Sequence, residues 1–509
     1  MIIMNQRTLG SILSYVQMLF GVIVTLLYTP YMICTLGQSE YGLYNTVVST
    51  ISMLGILSLG FNSSYIRYYA IYKKRNEAEN IAKLNGMFIS IFCIIGFIAF
   101  LSGVFISNNL VYVFADGLTA DEYTLVKKLF LLLTFNLTIS FPMSVFTDII
   151  SAHERFVFLK LLGLVKTVCS PLVTLPLLIM GYRSVGIVVV TVLFALFTDC
   201  VYLWYVVFKL KEKFTYRHYP KGLFKDLLIY TSFIAINIIV DQINWNVDKL
   251  ILARYRGTVS VAIYSVAYIL NNYYCMISTA VSSVFVPLIH KIINDTRSDL
   301  DIQRKELTTL FIKVGRIQFL ILSLIVSGFI FFGKSFIEIW VGIGYEDSYY
   351  ILLLLLLPVT IPLIENVGVE IQRAQNKHSF RSIIYLIMAV INVVMSIWLC
   401  KLWGAIGTAL GTSISLILAN GLIMNVYYHK QCNIDIIAFW KNILSIFPGF
   451  IIPVVVGVIG FKIIHIDSLL VLCGWAIVYT LIYCISIWQF SLNIPERAFC
   501  ISIMDKLKK

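Results

Sequence analysis

The feature that most constrains this chain is a run of apolar stretches, recurring from residue 9 to residue 490 and each about 20 residues long, enough to cross a bilayer as a helix. Read against the charged breaks, they predict helices at 9–33, 41–65, 84–107, 127–150, 157–180, 184–208, 226–252, 258–287, 308–332, 348–370, 382–401, 404–428, 443–464 and 468–490. The expected fold is therefore all-α and polytopic, with about 14 transmembrane helices. Composition agrees. Charged residues make up only 13% of the 509, apolar residues 59%, and mean hydropathy is +0.88. A soluble chain carries about twice that charge, so a soluble enzyme, a secreted disulfide scaffold and a disordered protein are excluded. The ten cysteines stand singly, nearly all inside apolar runs, as at Cys93, Cys169, Cys275 and Cys473, and read as small core residues. The N-terminus has no basic stretch followed by a cleavage site, so the first apolar run is expected to be a retained helix.

Charge distribution tests the helix count. With the N-terminus placed in the cytoplasm, the inward segments collect 27 of the 39 Lys and Arg, the outward segments 8, and the spans 4. One missed or invented helix would invert every later loop and destroy that ratio. Both termini are expected in the cytoplasm, and the formal net charge of +13 is then a topology signal with no bearing on nucleic acid. The segment 209–225 alone holds six Lys/Arg. No loop is long enough to fold as a domain, which argues against an enzyme and leaves function within the bundle.

The sequence also repeats. Leu36-Gly37-Gln38-Ser39-Glu40-Tyr41-Gly42-Leu43-Tyr44 has a counterpart at Tyr255–Tyr264, with Tyr44 and Tyr264 offset by 220. Pro142 and Pro362 are offset by 220, Gly186 and Gly407 by 221, and Ala152–Phe156 resembles Ala374–Phe380 at an offset of about 222. An even number of helices per copy returns each to the same side, so the copies are parallel repeats around a central cavity that can open to either face. The expected domains are 1–215, an N-terminal six-helix bundle; 216–430, a C-terminal six-helix bundle; and 431–509, two additional helices and a cytoplasmic tail.

Ionisable groups within spans are costly and point to the transport path. Helix 226–252 carries the densest polar stripe, Asn237, Asp241, Asn244 and Asp248, spaced four, three and four so that all share one face. Asn237 and Asn244 are candidates for hydrogen bonds to sugar, and Asp241 and Asp248 for coupling to an ion; Asn271 and Asn272 are candidate partners for the stripe. Asp248 is expected near the interface, where water and Lys249 compensate its charge. A lipid diphosphate needs cationic partners, for which Arg67, Lys166, Lys249 and Arg316 are the candidates. For Lys166, Lys313 and Arg316 the competing reading is a side chain that snorkels to the interface. No catalytic group, metal site or cofactor is expected.

The stretches Leu36–Tyr44, Leu59-Gly60-Phe61-Asn62-Ser63-Ser64-Tyr65-Ile66-Arg67-Tyr68, Val247-Asp248-Lys249-Leu250-Ile251-Leu252 and Val261-Ala262-Ile263-Tyr264-Ser265, with six plus six plus two helices, resemble one known group. It is the polysaccharide transporter branch of the multidrug/oligosaccharidyl-lipid/polysaccharide exporter (MOP) superfamily, the O-antigen and capsule repeat-unit flippases. The resemblance implies a flippase that moves an undecaprenyl-diphosphate-linked oligosaccharide from the inner to the outer leaflet of the bacterial cell membrane by alternating access. It implies work beside a polysaccharide polymerase and chain-length proteins, coupling to a proton or Na+, and a role in O-antigen, capsule or exopolysaccharide synthesis. The alternatives are a cation-coupled multidrug antiporter of the same superfamily, expected to present an acidic cavity, and a membrane polymerase or ligase, expected to carry a large outward loop.

Overall fold

The computed structural model describes residues 6–114, 118–217, 222–296, 299–375, 377–463, 468–498 and 501; most of the expected tail lies outside them. Among the described residues there is no strand. The helices are α1 Gln6–Leu54, α2 Phe61–Lys74, α3 Ala78–Asn108, α4 Val111–Phe114, α5 Ala120–Ala152, α6 Phe156–Ile179, α7 Arg183–Trp204, α8 Leu223–Tyr255, α9 Thr258–Ser283 and α10 Val286–Asp295. They continue as α11 Leu300–Val341, α12 Asp347–Ile364, α13 Asn366–Ala374, α14 His378–Leu416, α15 Asn425–Gln431, α16 Ile436–Leu444, α17 Ile451–Ile463 and α18 Leu469–Phe490.

Among the described residues, eleven helical runs are long and apolar enough to cross a membrane. Two of them, Thr8–Lys74 and Ser379–Gln431, each contain a break and hold two passes. The breaks fall at Gly37 (φ 74°) and Gly404 (φ 61°), where a side chain would be strained. That makes thirteen, and the 33-residue α8 completes fourteen. The chain is a multi-pass membrane protein. Its outward surface fits that solvent: Leu27, Phe105, Ile179, Trp398 and Leu481 are all exposed.

The repeat is visible in backbone geometry. Gly257, 220 residues after Gly37, also has positive φ (82°) and opens the equivalent turn. Pro142 and Pro362 both lie inside helices, α5 and α12. The last helix of each copy also contains a π-helical segment, at Tyr205–Leu210 and Ile417–Met424. The prolines do not stop their helices, because α5 runs unbroken through Pro142.

By packing, the chain divides into one unit of Met1–Ser265 with Tyr385–Thr408 and another of Val266–Ile384 with Ala409–Lys509. This division differs from the repeat boundaries at 215 and 430, because α8 and the start of α9 pack on the N-terminal helices: Ile234 sits against Gly60, and a Cβ on Gly42 would overlap the Thr258 carbonyl. The first unit has an aromatic core in which Phe61 and Tyr65 of α2 meet Phe88 of α3 edge-on, at 6.4 and 5.2 Å between ring centres. The 36–44 motif ties the ends of its helices. Ser39 Oγ donates to Glu122 Oε1 at 2.7 Å, Glu40 accepts from the Ser184 amide at 3.0 Å and pairs with Arg183 at 2.9 Å, and Arg183 also donates to the Leu36 carbonyl. Gly42→Leu is therefore expected to block folding of this unit, read as loss of a monodisperse peak on size exclusion, while Leu43→Met is tolerated.

The second unit is built on the 42-residue α11, against which α12, α16, α17 and α18 pack. Phe311 of α11 meets Phe439 edge-on at 4.6 Å, and Ser323 hydrogen-bonds the Tyr483 hydroxyl at 2.9 Å. Arg316 fixes the C-terminal hairpin. Its guanidinium is 1% exposed and donates to both oxygens of Glu496 at 2.6 and 2.9 Å, to the Asn442 and Ser491 carbonyls, and to Ser445 Oγ.

Candidate functional site

The polar stripe of α8 is graded in exposure. Asp241 is exposed, Asn237 and Asn244 are half-buried, and Asp248 is 2% exposed. Within its own unit the stripe meets Asn392 of α14, whose Nδ2 donates to Asn244 Oδ1 at 3.4 Å. Ser396, one turn on, donates to Asn392 Oδ1 at 3.0 Å and lies 3.4 Å from the Thr408 carbonyl. The break at Gly404 brings Thr408 back beside Ser396, and Arg256 pins that break by donating to the Cys400 and Lys401 carbonyls at 2.9 and 2.6 Å. Asn244, Asn392 and Ser396 thus form a chain of hydrogen-bonding groups running off the stripe. Oxygen donors of this kind suit sugar hydroxyls or a hard cation.

The structure replaces the expected surroundings of Asp248. Water does not reach it; instead the Tyr264 hydroxyl donates to Asp248 Oδ2 at 2.7 Å. Lys249 beside it is 6% exposed, and its charge interacts with Asp248, so both are built into the helix packing. Lys166 of α6 is half-buried and lies close enough to Asp199 of α7 for their charges to interact, an intramembrane pair that offers an alternative to snorkelling. Arg67 is exposed on α2, on the same helix as the buried Tyr69 and Tyr72. The expectation that Arg316 meets substrate gives way to its hairpin role. A guanidinium has five N–H donors, and all five are matched by acceptors of its own unit.

Two features were not singled out in the sequence. The first unit has a cavity of about 750 Å³ at the start of α1 and α6 and the end of α2, lined by Lys73, Lys74 and Lys160 among others. Behind it runs a polar network. The Tyr69 hydroxyl is 3.0 Å from His153 Nε2, His153 is 3.1 Å from Glu212, and Glu212 accepts from Asn85, which accepts from Tyr65 at 2.6 Å. The second unit has an apolar cavity of about 550 Å³, walled by Phe319, Val326, Phe331, Leu357 and Phe450. Among the described residues no cluster of His, Cys, Asp and Glu could hold a metal ion.

Residues 9–293 match a family described as polysaccharide biosynthesis protein. The fold matches the lipid II flippase MurJ in its inward closed conformation with a TM-score of 0.72, over 95% of this chain and 98% of that one, at 17% identity. It matches an inward-facing multidrug resistance MATE family transporter of the MOP superfamily with a TM-score of 0.65, over 82% and 96%, at 13% identity. The Vibrio cholerae MATE transporter VcmN in its bent form matches with a TM-score of 0.51, over 84% and 98%, at 13% identity. No curated protein matches the sequence. At such identities the likeness establishes a fold, that of the MOP superfamily transporters.

Proposed function

The chain belongs to the polysaccharide biosynthesis protein family, and from that premise we propose that it is a flippase carrying undecaprenyl-diphosphate-linked oligosaccharide repeat units from the inner to the outer leaflet of a bacterial cytoplasmic membrane. The observation that carries the reading is the family match over more than half of the chain, on a fold shared with transporters. The lipid II flippase whose fold it shares handles a lipid-linked saccharide, and that is the substrate class we carry over. The repeats at 1–215 and 216–430 would alternate access to the two leaflets, and 431–509 would add two helices outside the repeat. The α8 stripe with Asn392 and Ser396 would supply polar contacts and coupling to a proton or Na+, and the apolar cavity of the second unit has the chemistry of a polyprenyl chain. A polymerase and chain-length proteins would receive the product, which would serve O-antigen, capsule or exopolysaccharide synthesis.

Deleting the gene is expected to abolish surface polysaccharide and leave lipid-linked repeat units facing the cytoplasm, read by glycan staining and by extraction of the lipid-linked pool. Unchanged surface glycan, in a strain without a second flippase, together with new sensitivity to cationic drugs, would favour the multidrug antiporter, the activity named for another transporter of this fold.

Orientation gives a second expectation. The segment after α7 folds back onto α3: the Thr215 amide donates to the Ala82 carbonyl at 2.9 Å, and Asn85 Nδ2 donates to the Lys213 carbonyl at 3.1 Å. The Lys213 side chain is exposed. With both termini cytoplasmic, Lys213→Cys should resist a membrane-impermeant thiol reagent in intact cells and react once the cells are opened. Labelling in intact cells would reverse the orientation.

A further inference from the structure

The lysine-lined cavity of the first unit lies at the end of the bundle where α1 and α6 begin and α2 ends. Lys73 and Lys74 are the last two residues of α2, and Lys160 is four residues past the start of α6, roughly 6 Å along its axis. Each of the three lysines thus lies within roughly 6 Å, along the axis, of a helix end. Lys74 is exposed and Lys160 half-buried, while Lys73 stands 5.6 Å above the Tyr69 ring. Among the described residues none of the three forms an ion pair. The lining carries one acid, Glu154, against these three lysines.

Ile66, Ala70, Ala152 and Phe156 give the wall an apolar part. Its hydroxyls are largely committed elsewhere: Ser14 donates to the Gly10 carbonyl, and the Tyr69 hydroxyl turns to His153 and Glu212. What the cavity offers is concentrated positive charge over an apolar floor, in a volume of about 750 Å³ that suits a small ligand. An inorganic anion would use only the charge. A lipid headgroup would use both, with phosphate oxygens at the lysines and the first methylenes of its tail on Ile66 and Phe156.

We propose that this cavity is an anion site that takes the phosphate or diphosphate headgroup of a lipid. Two lipids share that chemistry, a polyprenyl diphosphate and a resident anionic phospholipid. The site stands on its own geometry and is independent of the flippase reading.

The test uses the purified full-length chain with three probes: farnesyl diphosphate, inorganic pyrophosphate, and nanodiscs of phosphatidylglycerol or phosphatidylcholine. Saturable binding of farnesyl diphosphate in neutral detergent is expected. The Lys73→Gln, Lys74→Gln, Lys160→Gln triple variant should lose roughly 100-fold in affinity and Lys74→Gln alone about fivefold, with Lys-to-Arg changes keeping most of it. If phosphatidylglycerol nanodiscs leave farnesyl diphosphate bound while pyrophosphate competes, the occupant is a diphosphate lipid. If phosphatidylglycerol displaces it and phosphatidylcholine does not, the occupant is a resident phospholipid. Either result supports the site. Binding by the triple variant at wild-type affinity, or no saturable binding of farnesyl diphosphate or phosphatidylglycerol to the wild type, overturns it. Neither of those failures changes what gene deletion does to surface glycan, so the two proposals fall separately.

Discussion

Arg316→Ala is expected to release the C-terminal hairpin from α11 and to cost on the order of 3 kcal/mol, because it removes a buried guanidinium from a half-buried carboxylate and several acceptors at once. The cost falls on one junction. Glu496 is left facing a hole, the Asn442 and Ser491 carbonyls lose their donors, and Ser445 Oγ loses one of its two bonds. Heating in detergent should show a lower unfolding midpoint, and limited proteolysis should cut between α15 and α16 in the variant before the wild type. Arg316→Lys should rescue little, since a single ammonium cannot reproduce a bidentate pair plus three further bonds. The double change Arg316→Met with Glu496→Met should recover much of the loss, because apolar side chains of similar length pack where the pair stood. If Arg316→Ala leaves the midpoint unchanged and abolishes transport, the arginine serves the ligand and not the hairpin.

That junction marks where a sequence stops being legible. The passes could be read because bilayer thickness imposes a length on each of them, and α3, α5, α7 and α18 stand where apolar length put them. Gly37 and Gly257 could be read as equivalent because a turn between passes needs the same backbone in each copy. Arg316 could not be assigned, since its partners lie 126 to 180 residues away and their spacing follows no period. The α8 stripe was legible as one face of a helix, but its partner was not. Asn392 reaches Asn244 from 148 residues along the chain, a consequence of tertiary packing. The lysine cavity was hidden for a different reason. Lys73, Lys74 and Lys160 already served as orientation signals, and a charge count does not show which of its members converge.

The second large effect is expected at Asp241. It lies eighteen residues past Leu223, so roughly 27 Å along α8, far from the end where α8 begins. Its side chain is exposed, and a charge against lipid at such depth costs about 2.5–3.5 kcal/mol, so a water-filled path is the surface that fits it. Asp241→Asn keeps size and hydrogen-bonding reach while removing the charge. Transport by this variant should fall at least about tenfold if the step couples to a proton or Na+, with insertion and oligosaccharide-lipid levels intact. Asp248→Asn should do less, for a reason that the burial of Asp248 supplies: the amide oxygen can still accept the Tyr264 hydroxyl. Asp248→Ala removes that acceptor and leaves Lys249 without its neighbouring charge, so it should act on stability, by about 1–3 kcal/mol, and lower protein yield before it lowers turnover. The contrast between the two acids separates coupling from packing. Were Asp241→Asn to transport normally across about pH 6 to 8, the range over which a coupling carboxylate would show its proton, the whole face from Asn237 to Asp248 would be a packing surface held by Asn392 and Tyr264.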